Sequence, residues 1–116
     1  MFRFLRGVVL IAAIVLNCGF AFAEQRLNSA NAIADGCRAV ALRTIPPDMS
    51  ALVGECVGII EGIVYTPPQV CIGHGVILGQ EVRIVVKYID ERPERQQESF
   101  MALALEALQA AWPCKK

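Results

Sequence analysis

Cys37, Cys56, Cys71 and Cys114 are the feature that most limits what this chain can become. An even number of cysteines in a short exported chain reads as a disulfide framework, because so small a domain buries too little apolar surface to be secure on burial alone. A bridge across a loop of some 20 to 40 residues contributes roughly 3–4 kcal/mol when reckoned as lost loop-closure entropy. The cysteines are too far apart in sequence for the paired spacing of a zinc knuckle, so a structural metal is not expected.

The N-terminus supplies the oxidising compartment. Arg3 and Arg6 form a short basic region, Gly7 to Leu16 is an uncharged apolar run, and Ala21-Phe22-Ala23 has the small-x-small pattern that signal peptidase accepts. The run is too short to stay in a bilayer as a spanning helix. Cys18 does not make a lipobox, since Leu16-Asn17 precede it where a small residue is required. The expectation is a cleaved secretory signal over 1–23 and one helical domain over 24–116, held in the periplasm with no membrane contact after cleavage. The chain carries 11 basic and 11 acidic residues. Losing Arg3 and Arg6 tips it slightly acidic, which leaves no electrostatic footprint for nucleic acid.

Glu55 to Cys71, ECVGIIEGIVYTPPQVC, organises what remains. Leu52, Cys56, Ile59, Ile60 and Ile63 fall on one side of a helix expected over about 49–65, with Asp48 or Ser50 as its cap. Gly54, Gly58 and Gly62 recur every four residues, a spacing that lets a second backbone approach. Glu55 and Glu61 argue for close packing in a water-soluble core rather than a membrane span. A first helix is expected over about 26–43, with Ser29 or Asn28 at its start, Leu27, Ala30, Ala34, Cys37 and Ala41 on one face, and Gly36 weakening it. After the break at Thr66-Pro67-Pro68, Cys71 to Gly79 reads as a glycine-punctuated surface connection. Val82, Val85, Val86 and Ile89 mark a third helix from Gln80, ended by Pro93. A fourth is expected over 94–112, with Phe100, Leu103, Ala104, Ala107, Leu108 and Ala111 in one stripe and Glu94 and Glu98 favouring its N-terminus.

The fold class is therefore all-α: a small four-helix domain of two helical hairpins, stapled by two disulfides. Four cysteines allow three pairings. A hairpin around Pro46-Pro47 sets Cys37 and Cys56 at similar distances from the turn. A second around Pro93 returns Cys114 to Cys71. Cys37–Cys56 and Cys71–Cys114 are the expected bridges.

Catalytic machinery is not evident. His74 is the only histidine. Its three-residue spacing from Cys71 within a loop does not hold a thiolate and a base in line. Asp90, Glu91, Glu94 and Glu98 are interleaved with Arg92 and Arg95, the pattern of a solvated helix junction rather than an acid–base site. Trp112 ends the stripe of the fourth helix and reads as core. No enzyme, cofactor or metal site is expected.

Beyond composition, the chain resembles the Rap/Tai immunity proteins of type VI secretion systems. The resemblance rests on Cys56, Gly58, Ile60 and Gly62, then Cys71-Ile72, Gln80, Tyr88-Ile89 before Pro93, and the closing Ala107-Leu108 with Trp112-Pro113-Cys114. The chain departs from that pattern at Ile59, Gly73 and Ile77. The resemblance implies a periplasmic, helical, disulfide-bonded inhibitor, often a homodimer, that binds a secreted effector, usually a peptidoglycan amidase, and blocks its active site. The expected contact surface is the loop from Tyr65 to His74, with Tyr65, Gln69 and His74 as partner-binding residues, because it is long, rich in glycine and proline and free of core periodicity. The alternative is a periplasmic acid-stress chaperone of the small helical kind, driven by titrating carboxylates.

Overall fold

The computed structural model describes residues 28–67 and 69–115. The expected signal over 1–23 and Leu27 lie outside them. Among the described residues four α-helices follow in order: α1 (Ala30–Leu42), α2 (Ser50–Val64), α3 (Leu78–Asp90) and α4 (Phe100–Ala111), with 3-10 turns at Pro47–Met49 and Pro93–Arg95. There is no strand among the described residues; one isolated bridge joins Ser29 to Ser99. No described helix is long and apolar enough to cross a membrane.

The hairpins expected from the sequence form. α1 packs on α2 and α3 on α4, and α1 also lies along α3, which closes the bundle. Cys37–Cys56 fastens the first pair at a Cα separation of 5.4 Å. Cys71–Cys114 fastens the start of the second pair to its end, with Cα atoms 4.9 Å apart. The first bridge is wholly buried in the core; Cys71 of the second is exposed. The largest other side chains of the core are Ile33, Ile60, Val82, Val85, Ile89, Phe100, Leu103 and Leu108, all fully buried. Most of the apolar positions with helical spacing thus serve as core. Ala111 does not: it is exposed at the last turn of α4.

The helix ends show where local chemistry overrode periodicity. Ser29 caps α1 as expected, its hydroxyl accepting the Ala32 N–H. Arg43 closes that helix in the left-handed region, φ 56°, so that its own N–H and that of Thr44 meet the carbonyls of Val40 and Ala39. Neither Asp48 nor Ser50 caps α2. Asp48 lies in the 3-10 turn, Ser50 is already helical, and Met49 stands at the cap with no side-chain bond. α3 starts two residues earlier than expected, at Leu78. Ile77 cannot cap with its side chain, but the Gln80 side chain reaches back to accept the Ile77 N–H at 3.0 Å. This is one half of a capping box.

The fourth helix is the largest correction. It starts at Phe100, not Glu94, because Ser99 takes the cap and accepts the Ala102 N–H. Glu94 and Glu98 belong to the preceding turn. There Arg95 forks onto two carboxylates, Glu98 at 2.8 Å and Glu106 at 2.7 Å. Tyr88 donates its hydroxyl to Glu106 at 2.8 Å, and the Arg92 guanidinium stacks 3.6 Å above the Tyr88 ring. The acidic run is thus a structural knot that joins α3, the 93–99 turn and α4. Arg38 adds a second tie, pairing with Asp35 on its own helix and Asp90 at the end of α3.

Candidate functional site

The glycines of the first hairpin divide into a surprise and an absence. Gly36 on α1, expected only to weaken its helix, is where the two backbones meet. A Cβ there would lie 2.4 Å from the Leu52 carbonyl. Gly54, Gly58 and Gly62, expected to be that approach site, are exposed, and a Cβ added at any of them would find nothing within 4 Å. The reason is angular. Cys56, Ile60 and Ile63 turn α2's buried side toward the core, and at 100° per residue the four-residue glycine series falls on the opposite side.

Gly58 and Gly62 form one wall of an open groove of about 370 Å³ between α2 and α4. Ile59 and Ile63 continue that wall, Met101 and Leu105 come from α4, and Thr66 and Gln69 close one end. The lining is almost wholly apolar. Met101 is 56% exposed at its edge, and Tyr65, the residue that terminates α2, is 79% exposed. Without side chains at 58 and 62, the groove reaches the α2 backbone.

The loop that closes it is tied down at several points. The Thr66 hydroxyl donates to the Gly62 carbonyl at 2.6 Å. The Gln109 side chain of α4 donates to the Gln69 carbonyl at 3.3 Å. Val70 is buried, the Cys71 N–H donates to the Trp112 carbonyl at 3.1 Å, and the Cys71–Cys114 bridge locks the same point. Beyond it, Gly73 to Val76 make a tight turn in which Gly75 takes φ 87°, a conformation that favours glycine.

Of the three residues expected to bind a partner, Gln69 lines the groove and Tyr65 stands exposed beside Thr66. His74 is exposed in the following turn and is not part of the groove lining. Cys71 is held in a disulfide, which removes the thiol that a Cys71–His74 nucleophile would need. Among the described residues no three His, Cys, Asp or Glu side chains converge as metal ligands would. Met101 and Leu105 give no signal in the sequence, although both are apolar residues of α4 that lie off its core stripe. The geometry offers shape and apolar surface for a macromolecular partner.

The family model of the Rap1a immunity proteins matches residues 29–114. The chain belongs to the Rap1a immunity family. Comparison with curated proteins and with solved structures returns no match. Family membership makes the chain an immunity protein directed at secreted effectors. Several of the residues that carried the resemblance have structural roles in this Rap1a fold, while Gly58 and Gly62 line the groove. Cys56 and Cys71 anchor the two bridges, Gln80 caps α3, and Trp112 packs partly buried against the core.

Proposed function

We propose that the chain is an exported inhibitor that binds a type VI secreted, cell-wall-degrading effector, a peptidoglycan amidase, in the periplasm and blocks its active site. It acts by binding and not by turnover. The observation that carries this reading is the family match across nearly all of the folded part. The tethered loop and the apolar groove beside it support a contact surface that includes Tyr65, Gln69 and His74. Because the glycine stripe of α2 meets nothing among the described residues, a second copy is a further partner for that face, giving a homodimer. Family membership favours this reading over an acid-stress chaperone.

Co-expression tests it. Cells that send a cognate amidase effector to their periplasm should survive when the full chain is present and lyse when residues 1–23 are deleted. The two proteins should co-purify, and the purified inhibitor should begin at Glu24 by mass. Lysis despite normal periplasmic levels of the chain, with no co-purification, would rule the reading out.

A further inference from the structure

The two disulfides differ in what they hold. Cys37 and Cys56 are fully buried and join the facing sides of α1 and α2. Cys71 is exposed and Cys114 half-buried, and both lie outside the helices. Their bridge ties the loop after α2 to the chain that leaves α4.

Few other bonds do the same work. The Cys71 N–H donates to the Trp112 carbonyl at 3.1 Å, and Val70 is buried. The Gln109 side chain donates to the Gln69 carbonyl at 3.3 Å, an exposed bond of small net worth in water. Past Cys71, the Val76 N–H turns back to the Gly73 carbonyl at 3.5 Å, within the loop itself. Gln69, two residues before Cys71, closes the end of the apolar groove with Thr66. The bridge therefore stands directly behind the groove's end wall.

Thiol–disulfide exchange needs a thiolate that can reach a sulfur in line. A dithiol can approach this bridge from solvent at Cys71, whereas burial shields Cys37–Cys56. One thiolate of the reductant bonds to the Cys71 sulfur and expels Cys114 as a thiolate, which takes up a proton. The second thiol then attacks the reductant's own sulfur in that mixed disulfide. Cys71 leaves as the thiol, and the reductant closes into a disulfide. Two electrons and two protons pass from the dithiol to the two cysteines. Cys37–Cys56 and the packing of α1 on α2 and α3 are untouched by this step.

We infer that Cys71–Cys114 is a redox-sensitive latch: a dithiol opens it and frees the 69–77 loop and the groove's end wall, while the helical bundle stays closed. The inference rests on the inhibitor reading for the partner, and on this chain's own bridge for the latch. In the oxidised protein the loop is presented already ordered. In the reduced protein the loop must be ordered anew on association, which weakens capture. The effector is then held tightly only by inhibitor that has passed through an oxidising compartment.

The full exported chain, with both bridges formed, would be treated with dithiothreitol until mass mapping finds Cys71 and Cys114 alone open to alkylation. The Cys71→Ser/Cys114→Ser double variant supplies the same open state without thiols. In both, helical circular dichroism should persist. Exchange of the amide at position 71 should quicken by roughly tenfold or more, and the emission of Trp112, the single tryptophan, should shift to the red. Capture of the cognate effector should weaken by roughly tenfold and return when oxidised glutathione recloses the bridge. Simultaneous labelling of all four cysteines, unchanged exchange and emission, or loss of helical signal in the selectively reduced chain would overturn the latch. If the double variant does not fold, the dithiothreitol treatment of the folded chain decides. Equal capture by oxidised and reduced protein defeats control of binding and leaves the inhibitor reading standing. If the oxidised chain captures no effector, the inhibitor reading fails, and exchange at position 71 with Trp112 emission still decides the latch.

Discussion

Gly36 of α1 abuts the backbone of Leu52 of α2 so closely that an added Cβ would sit 2.4 Å from the Leu52 carbonyl carbon and oxygen. The contact lies beside the Cys37–Cys56 bridge, so the hairpin is held by a covalent link and by close backbone approach at neighbouring positions. Gly36→Ala should therefore destabilise by about 1–3 kcal/mol from overpacking, less the roughly 1 kcal/mol that alanine returns in helix propensity. Thermal unfolding measures the net, at roughly 4–8 °C per kcal/mol for a domain of this size. A variant as stable as the parent would mean that α1 and α2 do not touch there.

Gly58→Leu should behave in the opposite way. Nothing meets a Cβ at this exposed position, and leucine is the better helix former by up to about 1 kcal/mol. The fold should hold or gain slightly in melting temperature, while any partner seated in the groove is displaced. Effector capture and sedimentation read the second effect. A dimer that becomes a well-folded monomer assigns the stripe to self-association, whereas a collapse of the fold would contradict an open groove.

How far the sequence could be read follows from these two glycines. Helix number, hairpin pairing and both bridges were legible, because cysteine spacing and apolar periodicity report on the core directly. The glycine roles were reversed, because a four-residue repeat says that small residues share a face and not which way that face points. The start of α4 was misplaced for a related reason. Glu94 and Glu98 look like first-turn residues until Arg95 is seen to claim Glu98 and Glu106, a partner eleven residues on. The groove was not legible, since Met101 and Leu105 matter only once α2 is set beside α4.

Acid should loosen the knot around Arg95. The Arg95 guanidinium, and then the Tyr88 hydroxyl, hold the Glu106 carboxyl down at about 2, against an ordinary 4.5. Arg95 lowers Glu98 as well. A depressed folded-state value means that the stabilisation is complete above pH 4.5 and is lost as pH falls from there towards 2. Glu106→Gln should lower the melting temperature at neutral pH and flatten its fall in that acid window. Because these groups are well solvated, the effect should amount to a few degrees at most. Identical pH profiles for variant and parent would show the fork to be idle.

Glu81 should show the reverse sign. Burial raises its carboxyl above the usual carboxylate range. The ionised form is a burden on the folded state, so the associated stability is present below 4.5 and lost as pH rises through the elevated value. Glu81→Gln, which removes that charge and keeps the shape, should melt higher than the parent at neutral pH. The advantage should shrink as pH falls towards 4.5. A lower melting temperature at neutral pH would mean that the ionised carboxylate is satisfied in the free protein.

The two bridges should differ in access to a reductant. Both sulfurs of Cys37–Cys56 are buried, while Cys71 is exposed. Brief treatment of the folded protein with a small dithiol, followed by alkylation and mass mapping, should label Cys71 and Cys114 before Cys37 and Cys56. Simultaneous labelling of all four would indicate that reduction requires global unfolding.

The tethering of the loop has a consequence for how this surface evolves and binds. Its path is fixed at Thr66, Gln69 and Cys71 by bonds to main-chain atoms and by one disulfide. Those ties are largely indifferent to the side chains displayed at Tyr65 and His74. Association then spends little entropy on ordering the segment. The displayed side chains are also free to be exchanged without disturbing the frame, so the surface chemistry of this loop can change by a few substitutions while the scaffold stays as it is.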